Sequence, residues 1–162
     1  EAYDTSGIVT NDRGVTVWLK GNRVSRNQIM AIKEESVTEQ KNSLAVCLDS
    51  ILRHAGITRN TEYDLAQGKT ATTILSENMT GVQVLDLSGC TLDAVLYYVN
   101  QDIPVLAILE DGEAVLVTGF NEFNVVIMEP ATGKLYKKGM NDATAWFAEN
   151  GNHFITYMRT EN

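Results

Sequence analysis

Only four side chains in this sequence could take part in thiol–imidazole chemistry. The 162 residues include two cysteines, Cys47 and Cys90, and two histidines, His54 and His153. A thiol becomes a good nucleophile when a histidine or a helix N-terminus lowers its pKa and the substrate can reach it. The positions of these four residues therefore decide whether the chain could use a cysteine nucleophile.

The spacing around the two cysteines predicts different surroundings for each. Cys47 shares a helical stripe with apolar residues, which predicts a buried core cysteine that behaves as a small apolar side chain. Cys90 directly precedes a predicted helix, whose dipole would favour a thiolate. His153 opens a predicted strand and could approach either thiol, whereas His54 lies two turns after Cys47 on the same helix. A site built from Cys47 or Cys90 with His153 stays open as an alternative.

Other site chemistries lack the residue patterns that they need. The two histidines are far apart in sequence and neither cysteine belongs to a CxxC pair, so no metal site is predicted. The acidic clusters Glu34-Glu35 and 110–113 lack the alternating oxygen ligands of a calcium loop and are interpreted as solvated turns. No glycine-rich phosphate loop is present. We expect no cofactor.

The net charge and the hydropathy of the chain limit the classes of partner that it could bind. The chain has 13 Lys and Arg against 21 Asp and Glu, a formal net charge of −8, which argues against nucleic acid as a partner. No apolar run approaches the ~18 residues that a membrane-spanning helix requires, so this segment is not expected to insert into a membrane. A peptide or another protein remains as the partner class.

The clearest secondary-structure element is a helix over 43–55. Its apolar residues recur at helical spacing, Asn42 or Ser43 can cap its start, and Gly56 suits the left-handed position after its end. Further helices are predicted over 70–77, 91–100 and 141–150. Strands are predicted at 15–18, 82–87, 105–109, 114–120, 123–128, 134–136 and 153–158.

The order of these elements predicts an α+β fold. The helices come mainly first, and the strands after Pro104 are joined by short turns, which is typical of an antiparallel meander. Residues 1–35 are predicted to be a lead-in with one short strand, and 36–162 to form the domain. The chain begins with Glu1-Ala2 instead of methionine, and we interpret it as a trimmed chain or a piece of a longer protein.

Three stretches, at 42–56, at 104–107 with 112–120, and at 124–133, resemble the bacterial papain-like peptidases that cut double-glycine leader peptides. The resemblance covers about 40–158. It implies a papain-like fold in which a cysteine at the N-terminus of the first helix faces a histidine and an aspartate on the sheet. It also implies a bacterial, extracytoplasmic or cell-envelope setting.

The family's catalytic positions hold other residues in this chain. Counting back from Gly56, the cysteine position is Ser43. The histidine position follows Gly112 and is Glu113, and the aspartate position precedes Pro130 and is Glu129. The glutamine that helps to form the oxyanion hole would fall at Val37, and the nearest glutamine is Gln40. We interpret Ser43 as a helix cap in preference to a nucleophile, because a carboxylate is a poor base for a hydroxyl.

The resemblance and the substitutions together favour a non-catalytic papain-like domain. Such a pseudo-peptidase would bind a peptide or serve as a structural module of a larger bacterial protein, with no catalytic residues expected. The alternative is an active cysteine peptidase that uses Cys47 or Cys90 with His153. A purely structural module with no ligand is a third possibility.

Overall fold

The structure, a computed structural model, describes residues 42–160. Five helices and six strands follow one another in this range. In chain order they are α1 (Ser43–His54), α2 (Thr61–Ala66), α3 (Ala71–Asn78), β1 (Val82–Asp86), α4 (Leu92–Val99), β2 (Val105–Ile108), β3 (Ala114–Phe120), β4 (Asn124–Glu129), β5 (Lys134–Gly139), α5 (Met140–Glu149) and β6 (His153–Arg159).

The strands form one antiparallel sheet in the order β1-β6-β2-β3-β4-β5. Strands β2 to β5 follow one another in both sequence and space, so the predicted meander is confirmed. The last strand, β6, lies between β1 and β2. The predicted α+β class is therefore the observed one.

The middle of the sheet is covered on both faces. All seven residues of β3 are buried, and successive side chains of a strand point to opposite faces. Helix α1 packs on α2 and α3, α4 packs on α5, and both α1 and α4 contact β3. The core therefore lies between the two groups of helices and the central strands.

Helix α1 is buried on almost every side. The sequence predicts a single apolar stripe, yet every residue from Ala45 to Leu52 is buried, including the polar Asp49 and Ser50. Its predicted end is confirmed, because Gly56 follows the cap residue with a φ of 89°. Because its neighbours surround α1 along most of its length, both termini of this helix have defined positions in the fold.

One observed helix has no counterpart among the predicted elements, and one predicted strand lies outside the described residues. Helix α2 is absent from the predicted elements, because its six residues carry no clear apolar periodicity. The predicted strand over 15–18 and the 1–35 lead-in lie outside the described residues. Within 42–160, no helix is both long and apolar enough to cross a membrane.

Candidate functional site

The N-terminus of α1 meets the start of β3. The Oγ atom of Ser43 accepts a hydrogen bond from the backbone N–H of Ala114 at 2.9 Å. The cap of α1 is Asn42, whose Oδ1 accepts from the N–H groups of Leu44 at 2.8 Å and Ala45 at 3.2 Å. The interpretation of Ser43 as the helix cap is therefore wrong, because the neighbouring amide fills that role and leaves the hydroxyl to reach the sheet.

Glu113 stands immediately before Ala114, at the end of a tight turn. Its N–H donates to Oδ1 of Asp111 at 2.9 Å, and its carbonyl accepts from the N–H of Leu109 at 2.7 Å. Gly112 takes a φ of 88°, which a residue with a side chain rarely adopts. The turn therefore holds the exposed Glu113 next to the residue that Ser43 binds.

Glu129 ends the neighbouring strand at the same end of the sheet. Strands β3 and β4 pair Leu116 with Met128, so continuing the register by one residue puts Val115 opposite Glu129. Ser43, Glu113, Ala114 and Glu129 are called the α1–β3 junction below. The structure thus brings Ser43 and the residue after Glu113 into contact and places Glu129 one strand away.

Cys47 lies one turn after Ser43 and is fully buried. Burial raises the pKa of its thiol well above the ordinary value, and the charges of Glu129 and Asp49 raise it further. A thiol in this environment stays protonated at neutral pH, and a substrate cannot reach it in the folded chain. The predicted core position of Cys47 agrees with this burial.

Cys90 and His153 lie at another corner of the molecule. The loop before α4 runs beside the start of β6, with the N–H of Leu87 donating to the carbonyl of Phe154 and the N–H of Gly89 to that of Asn152, both at 2.8 Å. Cys90 is half-buried, and the structure gives no hydrogen bond between it and His153. Cys47 and Cys90 are both unpaired.

His153 lies close to the carboxylate of Asp86 at that corner. Hydrogen bonds from Ser88 lower the pKa of Asp86, and the charge of His153 adds a smaller lowering. The hydroxyl of Ser88 donates to Oδ1 of Asp86 at 2.5 Å. The Asp86 carboxylate therefore accepts hydrogen bonds from Ser88, and it interacts with the imidazole of His153 through charge alone.

His54 lies at the far end of α1, among residues that are distant from it in the sequence and that the sequence does not predict to be its neighbours. Its Nε2 is 3.2 Å from the carbonyl oxygen of Asp102 and 3.7 Å from Oδ2 of the same residue. It also lines a cavity together with Tyr157 and Arg159. No local signal in the sequence links these residues, because β6 and the 101–102 loop reach His54 only through the tertiary fold.

The described range holds no cluster of three or more metal-ligating side chains. Glu34, Glu35, Val37 and Gln40 lie outside the described residues. At the α1–β3 junction the side chains offer one hydroxyl and two carboxyl groups. These groups can accept hydrogen bonds from a ligand and attract positive charge.

No protein-family model matches the chain, and no curated protein matches it. Among solved structures, it is similar to the crystal structure of a protein from Bacillus anthracis described as a candidate C39-like peptidase. The two share 12% sequence identity with a TM-score of 0.66, over 83% of this chain and 98% of the other. At that identity the likeness shows the fold alone, which is peptidase-like.

Proposed function

We propose that this chain is a non-catalytic papain-like domain that binds a peptide at the α1–β3 junction. The hydrogen bond between Ser43 and Ala114 carries the proposal. It joins the position where the resembling peptidases hold their cysteine to the residue that follows their histidine position. The geometry of such a site is thereby supported, while its thiol and imidazole are replaced by a hydroxyl and a carboxyl group.

The hydroxyl of Ser43 is poorly placed to act as a nucleophile. Attack requires a base that takes the hydroxyl proton and a free approach to the substrate, and Oγ is instead held by the Ala114 N–H. The side chain that takes the place of the base, Glu113, is exposed to solvent. A solvated carboxylate is too weak a base to activate a serine at neutral pH.

The charge at the junction favours a basic peptide. Glu110, Asp111 and Glu113 are exposed in the turn before β3, and the chain as a whole has a net charge of −8. Opposite charge on a ligand speeds its encounter with such a surface and selects against acidic peptides. We therefore expect leader-type peptides with several lysine or arginine residues to bind best.

The first test combines turnover and binding. The intact chain is incubated with fluorogenic and leader-type peptides, and binding is followed by fluorescence polarisation of a labelled basic peptide. We expect binding without cleavage, weakened by Glu113→Lys and unchanged by the matched reversal Glu122→Lys at the opposite end of β3. Turnover that Ser43→Ala or Cys47→Ala abolishes would overturn the proposal.

The second test restores the family's side chains. In a Cys47→Ala background, the triple variant Ser43→Cys, Glu113→His and Glu129→Asp is compared with Ser43→Cys alone. We expect the triple variant to react faster with iodoacetamide near neutral pH, because an adjacent imidazole favours the thiolate. Equal rates in the two variants would count against a retained peptidase geometry.

A working thiol enzyme is the competing candidate, and one observation favours it. The hydrogen bond between Gly89 and Asn152 holds the loop of Cys90 beside the start of the strand that carries His153. If this pair is active, turnover is lost in both Cys90→Ala and His153→Gln and survives Ser43→Ala. That pattern separates the candidate from the proposal above.

A further inference from the structure

A cavity of about 610 Å³ opens at the end of α1 that is farther from the α1–β3 junction. Its wall combines His54 at the end of α1, the residues that lead into β1, and the end of β6. Helix α1 has 12 residues, so its two ends lie about 18 Å apart. The cavity is therefore separate from the junction, and its volume is in the range of small-molecule pockets.

Tyr157 gives this cavity a hydrogen-bond donor. The residue is 2% exposed and lines the cavity, and its hydroxyl has no hydrogen-bond partner within residues 42–160. Burial raises the pKa of the hydroxyl, so it keeps its proton and stays a donor. Ser50 Oγ is the fully buried side-chain oxygen without a partner in the described range, and the Tyr157 hydroxyl is not such an atom, so this donor is open to a ligand in the cavity.

Arg159 supplies positive charge beside that donor. Its Nη1 donates to the carbonyl of Gln101 at 3.4 Å, and no carboxylate of the described range forms an ion pair with it. A guanidinium has five N–H donors, so one hydrogen bond leaves most of them for a ligand. Among residues 42–160, the cavity thus combines a guanidinium that has no ion pair with a hydroxyl that has no hydrogen-bond partner.

His54 and Asp102 hold the wall between α1 and β6. The His54 Nε2 faces the carbonyl of Asp102, so this nitrogen carries the proton and donates. The Asp102 carboxylate lies 3.7 Å from the same ring, which places its charge beside His54. Arg159 binds the carbonyl of Gln101, the residue before Asp102. The side chains of His54 and Arg159 therefore both hold the 101–102 loop, and the wall of the cavity is in place before a ligand binds.

Part of the remaining lining is apolar, and it lies next to the polar Thr80. Ile57, Met79 and Val82 all contribute to the cavity. Of these, Met79 is 8% exposed, and Ile57 and Val82 pack against the core. A ligand that matches these three side chains has an apolar part, and one that matches Arg159 and Tyr157 has an anionic acceptor group.

We infer that this cavity binds a carboxylate with an apolar body, which Arg159 and Tyr157 hold by its oxygens. The source of the carboxylate is either a free organic acid or the C-terminus of a peptide that ends in an apolar residue. Planar carboxylates fit the fork of a guanidinium, and the hydroxyl of Tyr157 supplies a further hydrogen bond. The site does not depend on the function proposed for the α1–β3 junction.

Calorimetric titration of the full chain tests the inference with two acids and their amides. Octanoate and octanamide represent the free acid, and N-acetyl-leucine and N-acetyl-leucinamide represent a peptide C-terminus. We expect at least one carboxylate to bind saturably and about tenfold or more tightly than its amide, because hydrogen bonds to charged groups are the stronger ones. The tighter of the two acids identifies the source.

Variants locate the binding in the cavity. Arg159→Gln is expected to abolish the preference for the acid over the amide, and Tyr157→Phe to weaken acid binding severalfold without loss of fold. The matched controls Lys134→Gln and Tyr97→Phe, together with Ser43→Ala, are expected to leave binding unchanged. No saturable binding of either acid at low-millimolar concentration, or binding that ignores both cavity variants, would overturn the inference.

Discussion

The hydroxyl oxygen of Ser43 and the backbone nitrogen of Ala114 lie 2.9 Å apart, although 71 residues separate them in the chain. The contact ties the first turn of α1 to the first residue of β3. Since α1 is buried along most of its length, this contact helps to fix the helix relative to the central strands. The same hydroxyl takes no part in capping the helix.

Removal of that hydroxyl is expected to cost stability. In Ser43→Ala the N–H of Ala114 loses its acceptor in a partly buried place, so the free energy of unfolding should fall by about 1–2 kcal/mol. Urea denaturation followed by circular dichroism measures this change. Ser76→Ala, on the exposed side of α3, serves as the control. An equal effect of both substitutions would show that the Ser43 hydrogen bond contributes nothing measurable.

Much of the fold could be predicted because its elements follow local patterns. The apolar spacing around Cys47, the glycine after α1 and the β-branched runs after Pro104 each indicate an element without reference to distant residues. Helix α2 lacks such a pattern and depends on tertiary contacts. The N–H of Thr61 donates to Asp49 at 2.8 Å, and the hydroxyl of Thr61 donates to the carbonyl of Ala45. A six-residue helix held in this way cannot be read from its own composition.

In the candidate sites, too, features that depend on neighbouring residues could be predicted, and features that depend on tertiary contacts could not. A cap needs only its immediate neighbours, so the sequence predicts Asn42 or Ser43 for that role, and Asn42 takes it. Only the fold reveals Ala114 as the partner of Ser43. The cavity beside His54 combines residues from α1, β1 and β6. Tyr157 and Arg159 occupy an ordinary alternating strand, and nothing in the sequence near them indicates that their side chains line a common cavity.

The two cysteines are expected to differ in accessibility. Cys47 is fully buried with a raised pKa, so alkylation should reach it only when the chain unfolds, whereas the half-buried Cys90 should be labelled in the native state. Mass spectrometry after iodoacetamide treatment, with and without urea, separates the two sites. Rapid native labelling of Cys47 would contradict its placement in the core. Rapid, pH-dependent labelling of Cys90 that His153→Gln slows would favour the thiol enzyme.

The pair between Arg59 and Asp64 is expected to make stability depend on acid pH. Two hydrogen bonds, of 2.8 and 2.9 Å, join the guanidinium to the carboxylate. The hydrogen bonds and the charge of Arg59 hold the pKa of Asp64 below its ordinary value of 3.8. A carboxyl group whose pKa is lowered by folding stabilises the folded state above its ordinary pKa, and this contribution is lost as the pH falls through the lowered value.

Denaturation curves measured from neutral pH down to about pH 2 test this dependence. Arg59→Gln should lower stability at neutral pH and flatten the acid part of the profile, because Asp64 then titrates nearer its ordinary pKa. Lys134→Gln removes the same charge from the exposed start of β5 and should leave the shape of the profile intact. Identical acid profiles for the two variants would show that the pair does not set the acid sensitivity.

Replacement of Ser50 by alanine is expected to stabilise the chain. Ser50 lies in the middle of α1, is 2% exposed, and its hydroxyl has no hydrogen-bond partner in the described range. Such a group gives up its hydration on folding and gains nothing in return, so Ser50→Ala should raise the free energy of unfolding by about 1 kcal/mol. The exposed Ser76→Ala reports the helix propensity of alanine alone, which contributes only a few tenths of a kcal/mol. A loss of stability in Ser50→Ala, measured by the same urea titrations, would mean that the hydroxyl has a partner in solution.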